Sequence, residues 1–329
     1  MSPYRSFAHT VKGISHEKYG KECQDASFKY DAADMSIAVV SDGHGDSNCF
    51  RSAKGAELSA ACAARGMSDF VKYFNEPIEK QDVLQKVRLK KTILRKNEFS
   101  KEQAEKCLRE RLMRDGIIRA WYKFVADHLF TFPVTEEELK GVGEKYYSQY
   151  SKSEKLHHAY GTTLIAAAIT EDFWFGIHIG DGRLTVLYTD GTYDQPVPWD
   201  EKCYLNVTTS ICDDDAYERA RCYFSFHKEK QPPVAVFLCT DGIDDNYPVD
   251  SNEKHLFTLY RTIAVTFAED GFESTCSQLK DLANSFATKG KGDDTSIAVL
   301  IDMDAVKKAV PVWKAQITEE EANNNEEVK

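Results

Sequence analysis

The sequence predicts a mixed α/β (α+β) fold, because strand-like runs linked by short turns are interspersed with long helical stretches. Four apolar runs, 35–40, 173–179, 234–239 and 295–301, have the length and composition of buried strands. Apolar residues at helical spacing cover 48–74 and several later stretches. Strands that neighbour one another in sequence, combined with long helices, are typical of sheets that carry helices on their outer faces.

Each of the four runs meets an aspartate beside a turn. Asp42, Asp181 and Asp241 follow three of the runs, and Asp293-Asp294 precedes the fourth. Rigid strands that deliver carboxylates to their ends can gather them in one cleft. Clustered carboxylates repel one another unless a cation lies between them, and sites with only oxygen ligands favour Mg²⁺ or Mn²⁺. The pattern therefore indicates a divalent metal site.

The first half of the chain predicts strands and then helices. Strands are expected at about 6–13 and 26–40, with a turn at 31–34, and the alanine-rich stretch 48–74 is predicted to be a helix. Residues 78–130 have helical periodicity throughout. The basic run at 86–96 is interpreted as a solvated helix face, with a docking surface as the alternative.

The second half predicts a hairpin and then two helices. The runs 161–169 and 173–179 have a β-hairpin signature, and the strand at 184–188 is expected to pair back through Asp190-Gly191. Residues 194–230 are predicted to be mostly loop. Helices are expected at 253–267 and 273–287.

The composition argues against a nucleic-acid-binding, membrane-spanning or disulfide-rich protein. The net charge of −11 argues against general affinity for nucleic acid. No apolar run is long enough to span a bilayer, and no signal-peptide pattern opens the chain, so we expect no membrane partner. The nine cysteines are odd in number and lack a Cys-x-x-Cys pair, which favours reduced thiols and a cytoplasmic setting.

Six short motifs, each common on its own, occur in one order along the chain. They are Cys23-Gln24-Asp25-Ala26, Asp42-Gly43-His44-Gly45, Gly161-Thr162-Thr163, Gly180-Asp181-Gly182-Arg183, Thr240-Asp241-Gly242-Ile243-Asp244-Asp245 and Asp293-Asp294-Thr295-Ser296. In this order the chain resembles the metal-dependent serine/threonine protein phosphatases of type 2C, over about residues 13–301. The lead sequence Gly13-Ile14-Ser15-His16 resembles a divergent bacterial branch of that family.

The resemblance implies a four-layer αββα sandwich, in which two mainly antiparallel sheets are flanked by helices. The metals would lie at one end of the sheets. We expect a single domain at 1–310, with a helical insertion at about 78–158 because the interval before Gly161 is long for the family. The acidic segment 311–329 is expected to be a disordered tail.

The resemblance also implies two Mg²⁺ or Mn²⁺ ions and assigns their ligands. Asp42 would bridge the ions, and the Gly43 carbonyl would complete the shell of one of them. Asp241 and Asp293 would hold the other ion. Asp25 would act on the Gly43-side ion, directly or through a water.

Further residues are assigned by position in the motifs. His44 aligns with a histidine that protonates the leaving oxygen, a role suited to an imidazole near neutral pH. Asp245 matches a ligand of a third metal that could share Asp241. From the sequence, the role of Asp181 is left open between structural and catalytic, and Asp294 is expected to hydrogen-bond a loop.

The chain departs from the family pattern where an arginine usually binds phosphate. That position is Gly20, so His16, Lys18 or Lys21 would substitute, although a lysine offers a point charge in place of a bidentate fork. His158 stands where an aspartate sometimes precedes Gly-Thr-Thr, which weakens the case for a third metal.

The resulting hypothesis is a phosphatase that hydrolyses phosphoserine and phosphothreonine in proteins by attack of a metal-bridging water. The first alternative is a pseudophosphatase that binds phosphoproteins without turnover, which Gly20 supports. The second is a structural acidic protein whose aspartates bind Ca²⁺ or end strands. The flap region 194–230 lacks the usual family sequence, so the substrate and the oligomeric state stay open.

Overall fold

The computed structural model describes residues 2–75, 99–198, 200–203, 207–248 and 251–327, with side chains up to residue 318. The predicted basic helix face at 86–96 lies outside these residues, as do flap residues 204–206. Among the described helices, none combines the length and apolar character needed to cross a bilayer.

Two five-stranded sheets form the centre of the protein, and every pair of neighbouring strands is antiparallel. The first sheet has the order β1-β10-β9-β6-β7 and the second β2-β3-β4-β5-β8. The strands are β1 Tyr4–Val11, β2 Asp25–Asp31, β3 Met35–Asp42, β4 Leu164–Thr170, β5 Phe173–Ile179, β6 Arg183–Leu187, β7 Tyr193–Asp194, β8 Arg221–Phe226, β9 Ala235–Cys239 and β10 Thr295–Asp302.

Helices cover the outer face of each sheet. They are α1 Ile14–Lys18, α2 Ser52–Asn75, α3 Lys101–Cys107, a π-helical segment Leu108–Ile118, α4 Arg119–Thr131, α5 Glu136–Leu139, α6 Glu144–Tyr150, α7 Ala216–Arg219, α8 Asp241–Asp244, α9 Asn252–Asp270, α10 Phe272–Lys289 and α11 Met303–Glu327, with 3₁₀ turns at Ser47–Cys49 and Leu156–Tyr160. Helix α2 packs on β2, β3 and β4, whereas α10 and α11 pack on β10. The predicted sandwich of two antiparallel sheets flanked by helices is confirmed.

The central strands are continuous apolar runs because both of their faces are buried. In β3, Ile37 and Val39 pack beneath the helices, whereas Ala38 and Val40 pack between the two sheets. Successive side chains of a strand point to opposite faces, so a strand with two covered faces has no polar alternation. This explains why the runs were recognisable from the sequence as strands of a buried sheet.

One strand was missed by the sequence prediction. β8 lies in the region 194–230 that was predicted to be mostly loop, and it pairs with β5 along Phe173↔Phe226 to His178↔Arg221. The residues before β8 are polar and turn-rich, and they masked a short aromatic strand. Pairing with an existing edge supplies stabilisation that local composition does not reveal.

The prediction of a disordered tail from residue 311 is wrong where side chains are described. Helix α11 continues to Glu327, and Trp313 is fully buried. Val306, Ala309 and Trp313 lie three and four residues apart, which places them on one face of the helix and against the core that includes α9. The acidic composition of the segment concealed this apolar stripe.

Candidate metal centre and active site

The aspartates meet where the ends of the two sheets adjoin. In the second sheet, Asp25 at the start of β2 lies opposite Asp42 at the end of β3. In the first sheet, Asp241 follows β9 and Asp293 precedes β10, and these strands are paired neighbours. The register of the strands therefore brings the predicted ligands to one end of the sandwich.

Thr240 joins the two groups of aspartates. Its hydroxyl donates a 2.8 Å hydrogen bond to Asp25 Oδ2 and accepts one of 2.9 Å from the Ser296 backbone N–H. Because Thr240 immediately precedes Asp241, this bond fixes the position of Asp25 relative to the end of β9. The hydrogen bond crosses from one sheet to the other within the site.

The carboxyl groups destabilise one another's charges. Burial raises the pKa of Asp42 well above its usual range, and the nearby Asp241, Asp25 and Asp181 raise it further. Burial and the neighbouring Asp181 raise the pKa of Asp241 to about 7. Asp42 and Asp241 are close enough to interact directly, so a proton on one of them would relieve their repulsion when no cation is bound. A bound cation would relieve this repulsion.

Gly43 fits the role of a carbonyl ligand. A Cβ atom here would lie 2.6 Å from the Gln24 carbonyl oxygen and 2.7 Å from that of Ser52, so only glycine is accommodated. Gly43 forms a bridge with Thr162. The two hydrogen bonds that flank the bridge use the Asp42 carbonyl and the His44 N–H, and the Gly43 carbonyl takes part in neither.

His44 lies beside Asp42 and is neutral in this environment. Burial lowers the pKa of its imidazole to about 4. At pH 7 only about one ring in a thousand would then carry a proton. The ordinary imidazole pKa that supported an acid role from sequence alone does not hold here, and an acid role needs a neighbouring negative charge supplied by substrate.

Asp181 belongs to the aspartate cluster, whereas the sequence alone left its role open. It interacts electrostatically with Asp42, Asp241 and Asp245, and burial raises its pKa. The available signal was its position after a strand, which it shares with Asp42 and Asp241. Arg183 shapes this turn by donating a 2.8 Å hydrogen bond to the Asp181 carbonyl.

A buried ion pair supports the same turn. Arg183 Nη2 lies 3.1 Å from Asp244 Oδ2, and both side chains are largely buried. Asn252 donates to the Asp244 carbonyl at 2.9 Å. Helix α8, which carries Asp241 and Asp244, is thereby held against the Asp181 turn. Asp245 lies just beyond this helix and is exposed.

Asp294 accepts hydrogen bonds from loop backbone, as expected from the sequence. Its two carboxylate oxygens accept hydrogen bonds from the backbone N–H groups of Gly13, at 2.7 Å, and Gln24, at 2.6 Å. His16 Nδ1 lies 2.8 Å from Asp294 Oδ2, and its Nε2 lies 3.6 Å from Asp293 Oδ1. His16 therefore contacts two carboxylates. The Asp293 side chain is exposed, at the edge of the cluster.

The predicted phosphate-binding residues separate in space. Lys21 Nζ donates a 3.3 Å hydrogen bond to the carbonyl of Gly45, the neighbour of His44. The exposed Lys18 instead has its ammonium 5.6 Å from the Tyr19 ring. Gly20 has a φ of 66°, a conformation that is strained for an arginine. The backbone at this position therefore favours glycine over the arginine that the resemblance led us to expect.

The donor set suits hard divalent cations. Carboxylates and a backbone carbonyl are the ligands that Mg²⁺ and Mn²⁺ prefer. Among the described residues, only the group His157, His158 and Asp214 places three candidate ligand atoms within 4.8 Å of one another.

The chain is similar to known phosphatases in sequence and in structure. The model of the protein phosphatase 2C family matches residues 12–284. The serine/threonine phosphatase Stp1 from Staphylococcus aureus is 16% identical with a TM-score of 0.49, covering 92% of this chain and 95% of that chain. The serine/threonine phosphatase PstP/Ppp of Mycobacterium tuberculosis is 14% identical with a TM-score of 0.46, covering 91% and 98%. No curated protein matches the sequence.

The carboxyl pKa values predict an unusual pH dependence of stability in chelator. A carboxyl whose pKa is raised on folding binds protons more tightly in the folded state, so stability increases as pH falls through the folded pKa. For Asp241 that value is about 7. We expect the melting temperature of the metal-free protein to rise as the pH is lowered from 8 to 6. Asp241→Asn should make this rise smaller.

The matched control is Asp281→Asn, which removes an exposed carboxylate from helix α10 and should leave the profile unchanged. Added Mg²⁺ or Mn²⁺ should raise the melting temperature most at pH 8, where the cluster is ionised. A wild-type melting temperature that is flat or that falls towards pH 6 would contradict the expected repulsion.

Proposed function

The chain belongs to the protein phosphatase 2C family, and we propose that it hydrolyses phosphoserine and phosphothreonine monoesters in proteins with the help of divalent metal ions. The observation that carries this proposal is the group of aspartates at the end of the sandwich. Asp25, Asp42 and Asp241 all have a raised pKa because they are buried close together. Their charge and oxygen donors suit two cations.

The ligands we propose come from both sheets. Asp42 and Asp241, whose carboxyl groups interact directly, would hold the ions between them, with Asp25, the Gly43 carbonyl and Asp293 completing the set. Bound Mg²⁺ or Mn²⁺ would neutralise the phosphate and lower the pKa of the attacking water. If a third ion binds, the grouping of Asp181, Asp241 and Asp245 favours those residues as its ligands.

His44 would donate a proton to the leaving oxygen of the substrate. Its imidazole is neutral without substrate because burial lowers its pKa. A phosphate dianion held beside the ring would favour the protonated form and raise that pKa. The serine or threonine oxygen is a poor leaving group, so protonation at this atom would contribute directly to the rate.

Lys21 is the candidate that the geometry favours for binding phosphate. Its ammonium lies next to Gly45, within the loop that carries Asp42 and His44. His16 is occupied by Asp293 and Asp294, and Lys18 extends along Tyr19. A single ammonium gives weaker orientation than an arginine fork. A pseudophosphatase that binds phosphoproteins is therefore the second candidate function.

We expect the protein to hydrolyse phosphate monoesters only when a divalent metal ion is present. Hydrolysis of p-nitrophenyl phosphate should require Mn²⁺ or Mg²⁺, be abolished by EDTA and be weakly supported by Ca²⁺. Asp42→Asn and Asp241→Asn should each lower kcat by about 10³-fold or more, because each removes a ligand charge from the metal site. Asp281→Asn, on a remote helix surface, should retain full activity.

Turnover should be measured beside Mn²⁺ binding by calorimetry. Folded wild type that binds Mn²⁺ but hydrolyses neither p-nitrophenyl phosphate nor a phosphothreonine peptide would reject the enzyme and support the pseudophosphatase. Turnover that survives both aspartate substitutions would mean that the chemistry lies elsewhere.

Lys21→Ala should raise KM about tenfold, because the substitution removes a charge–phosphate hydrogen bond of about 1.5 kcal/mol. Lys18→Ala is the matched control, since it removes the same charge three residues away and should change KM less than twofold. The measurement is steady-state kinetics on one phosphopeptide for the three proteins. Equal effects of the two substitutions would show only a general loss of positive charge.

His44→Asn should affect poor leaving groups more than good ones. The kcat for a phosphoserine peptide should fall about 10²-fold or more, because an alkoxide needs a proton as it leaves. The kcat for p-nitrophenyl phosphate should fall much less, since nitrophenolate leaves without one. Equal losses on both substrates would assign His44 a structural role in the Asp42 turn.

A further inference from the structure

Two adjacent histidines and an aspartate form a second candidate site, apart from the aspartate cluster. His157 and His158 lie in the 3₁₀ turn Leu156–Tyr160, and Asp214 lies in the loop before α7. One ligand atom from each residue lies within 4.8 Å of the other two. Asp214 and Asp213 are the carboxylates that most raise the pKa of His158.

Each of the two imidazoles has a buried ring nitrogen that could bind a ligand. Nε2 of His157 and Nε2 of His158 are buried atoms, and neither has a hydrogen-bond partner in the described part of the chain. A buried polar atom without a partner costs free energy, so its retention calls for an explanation. Burial lowers the pKa of both rings, and imidazole binds metals in its neutral form.

The donor set points to zinc rather than to magnesium. Imidazole nitrogen suits Zn²⁺ and related transition metals, whereas Mg²⁺ and Mn²⁺ favour oxygen. Two histidines and one carboxylate are a common set of three protein ligands for zinc, with water in the fourth position. In a tetrahedral zinc site the ligand atoms lie about 3.4 Å apart, so small side-chain rotations suffice from the present spacing.

Lys155 competes for the carboxylate. Its Nζ lies 2.8 Å from Asp214 Oδ2, and both side chains are exposed. Surface ion pairs of this kind contribute little to stability, so a metal ion can displace the ammonium at small cost. Lys155 has a φ of 51°, a left-handed conformation that asparagine also tolerates.

The site lies next to a hydrogen-bond network that reaches Asp42. Cys212 Sγ lies 3.7 Å from His158 Nδ1 and 3.1 Å from the Ser210 hydroxyl. That hydroxyl donates to the Thr162 carbonyl at 3.1 Å. Thr162 in turn donates through its own hydroxyl to the Asp42 carbonyl at 2.8 Å.

We propose that His157, His158 and Asp214 bind one Zn²⁺ ion, which joins the 3₁₀ turn Leu156–Tyr160 to the loop at 210–215. The turn leads into Thr162, whose hydroxyl donates to the Asp42 carbonyl, and Ser210 of the loop hydrogen-bonds to Thr162. The ion would act as a structural cross-link behind the aspartate cluster, not as a member of it. The inference does not rest on the proposed phosphatase activity.

The test measures zinc binding to the full-length, chelator-treated protein in excess Mg²⁺, which occupies oxygen-rich sites. Zn²⁺ itself is the probe, followed by competition with a chromophoric indicator and by metal analysis after dialysis. We expect wild type to retain one equivalent of zinc and to melt at a higher temperature with it. The double variant His157→Ala/His158→Ala should lose both effects.

Three further variants sharpen the result. Asp214→Asn should weaken zinc binding about tenfold or more, whereas Lys155→Asn should strengthen it by removing the competing ammonium. His255→Ala removes an exposed imidazole on α9 and should leave zinc binding unchanged. Loss of binding in His255→Ala would show that zinc binds elsewhere.

The proposal is overturned if wild type retains no zinc in excess Mg²⁺, or if the histidine variant keeps wild-type affinity. Should the double variant fail to fold, the two variants on exposed side chains decide. Opposite shifts in Asp214→Asn and Lys155→Asn support the site, and equal affinities reject it. Metal content is measured without turnover, so an inactive protein would leave this result intact.

Discussion

Repulsion between carboxylates that two sheets bring together is the constraint on which this structure depends. Asp25 and Asp42 come from the second sheet, and Asp241 and Asp293 come from the first. Burial raises the pKa of Asp25, Asp42 and Asp241, so folding at neutral pH places charge where it is unfavourable. Divalent cations would remove this penalty. The ions that the proposed chemistry needs are therefore the same ions that would stabilise the fold at this end of the sandwich.

The residues around the cluster act mainly by holding backbone in place. Thr240 connects Asp25 to the end of β9, and Asp294 accepts hydrogen bonds from two loop N–H groups. The buried pair of Arg183 and Asp244 ties the turn after β5 to helix α8. Each contact satisfies a buried polar group and at the same time fixes a neighbouring carboxylate, so the supporting shell leaves the cluster little freedom to relax its own repulsion.

Much of the fold was predictable because its signals are local. The continuous apolar strands, the hairpin of β4 and β5 and the helices α9 and α10 are confirmed at nearly the expected bounds. β8 was missed because its stability comes from pairing with β5. The tail was misassigned because overall acidity outweighed the apolar face that buries Trp313. Whether 78–158 is an insertion into one domain stays a prediction, as does a cytoplasmic location.

The sequence by itself determined the order of the motifs, the strands that carry them and the identity of the oxygen donors. These follow from residue type and spacing along the chain. Only the tertiary structure decided that Asp181 joins the cluster, that Lys21 and not Lys18 lies beside the His44 loop, and that burial leaves His44 neutral. It also brought Asp214 to His157 and His158, more than fifty residues away in sequence. Burial and proximity arise from contacts between distant segments, and spacing along the chain does not specify them.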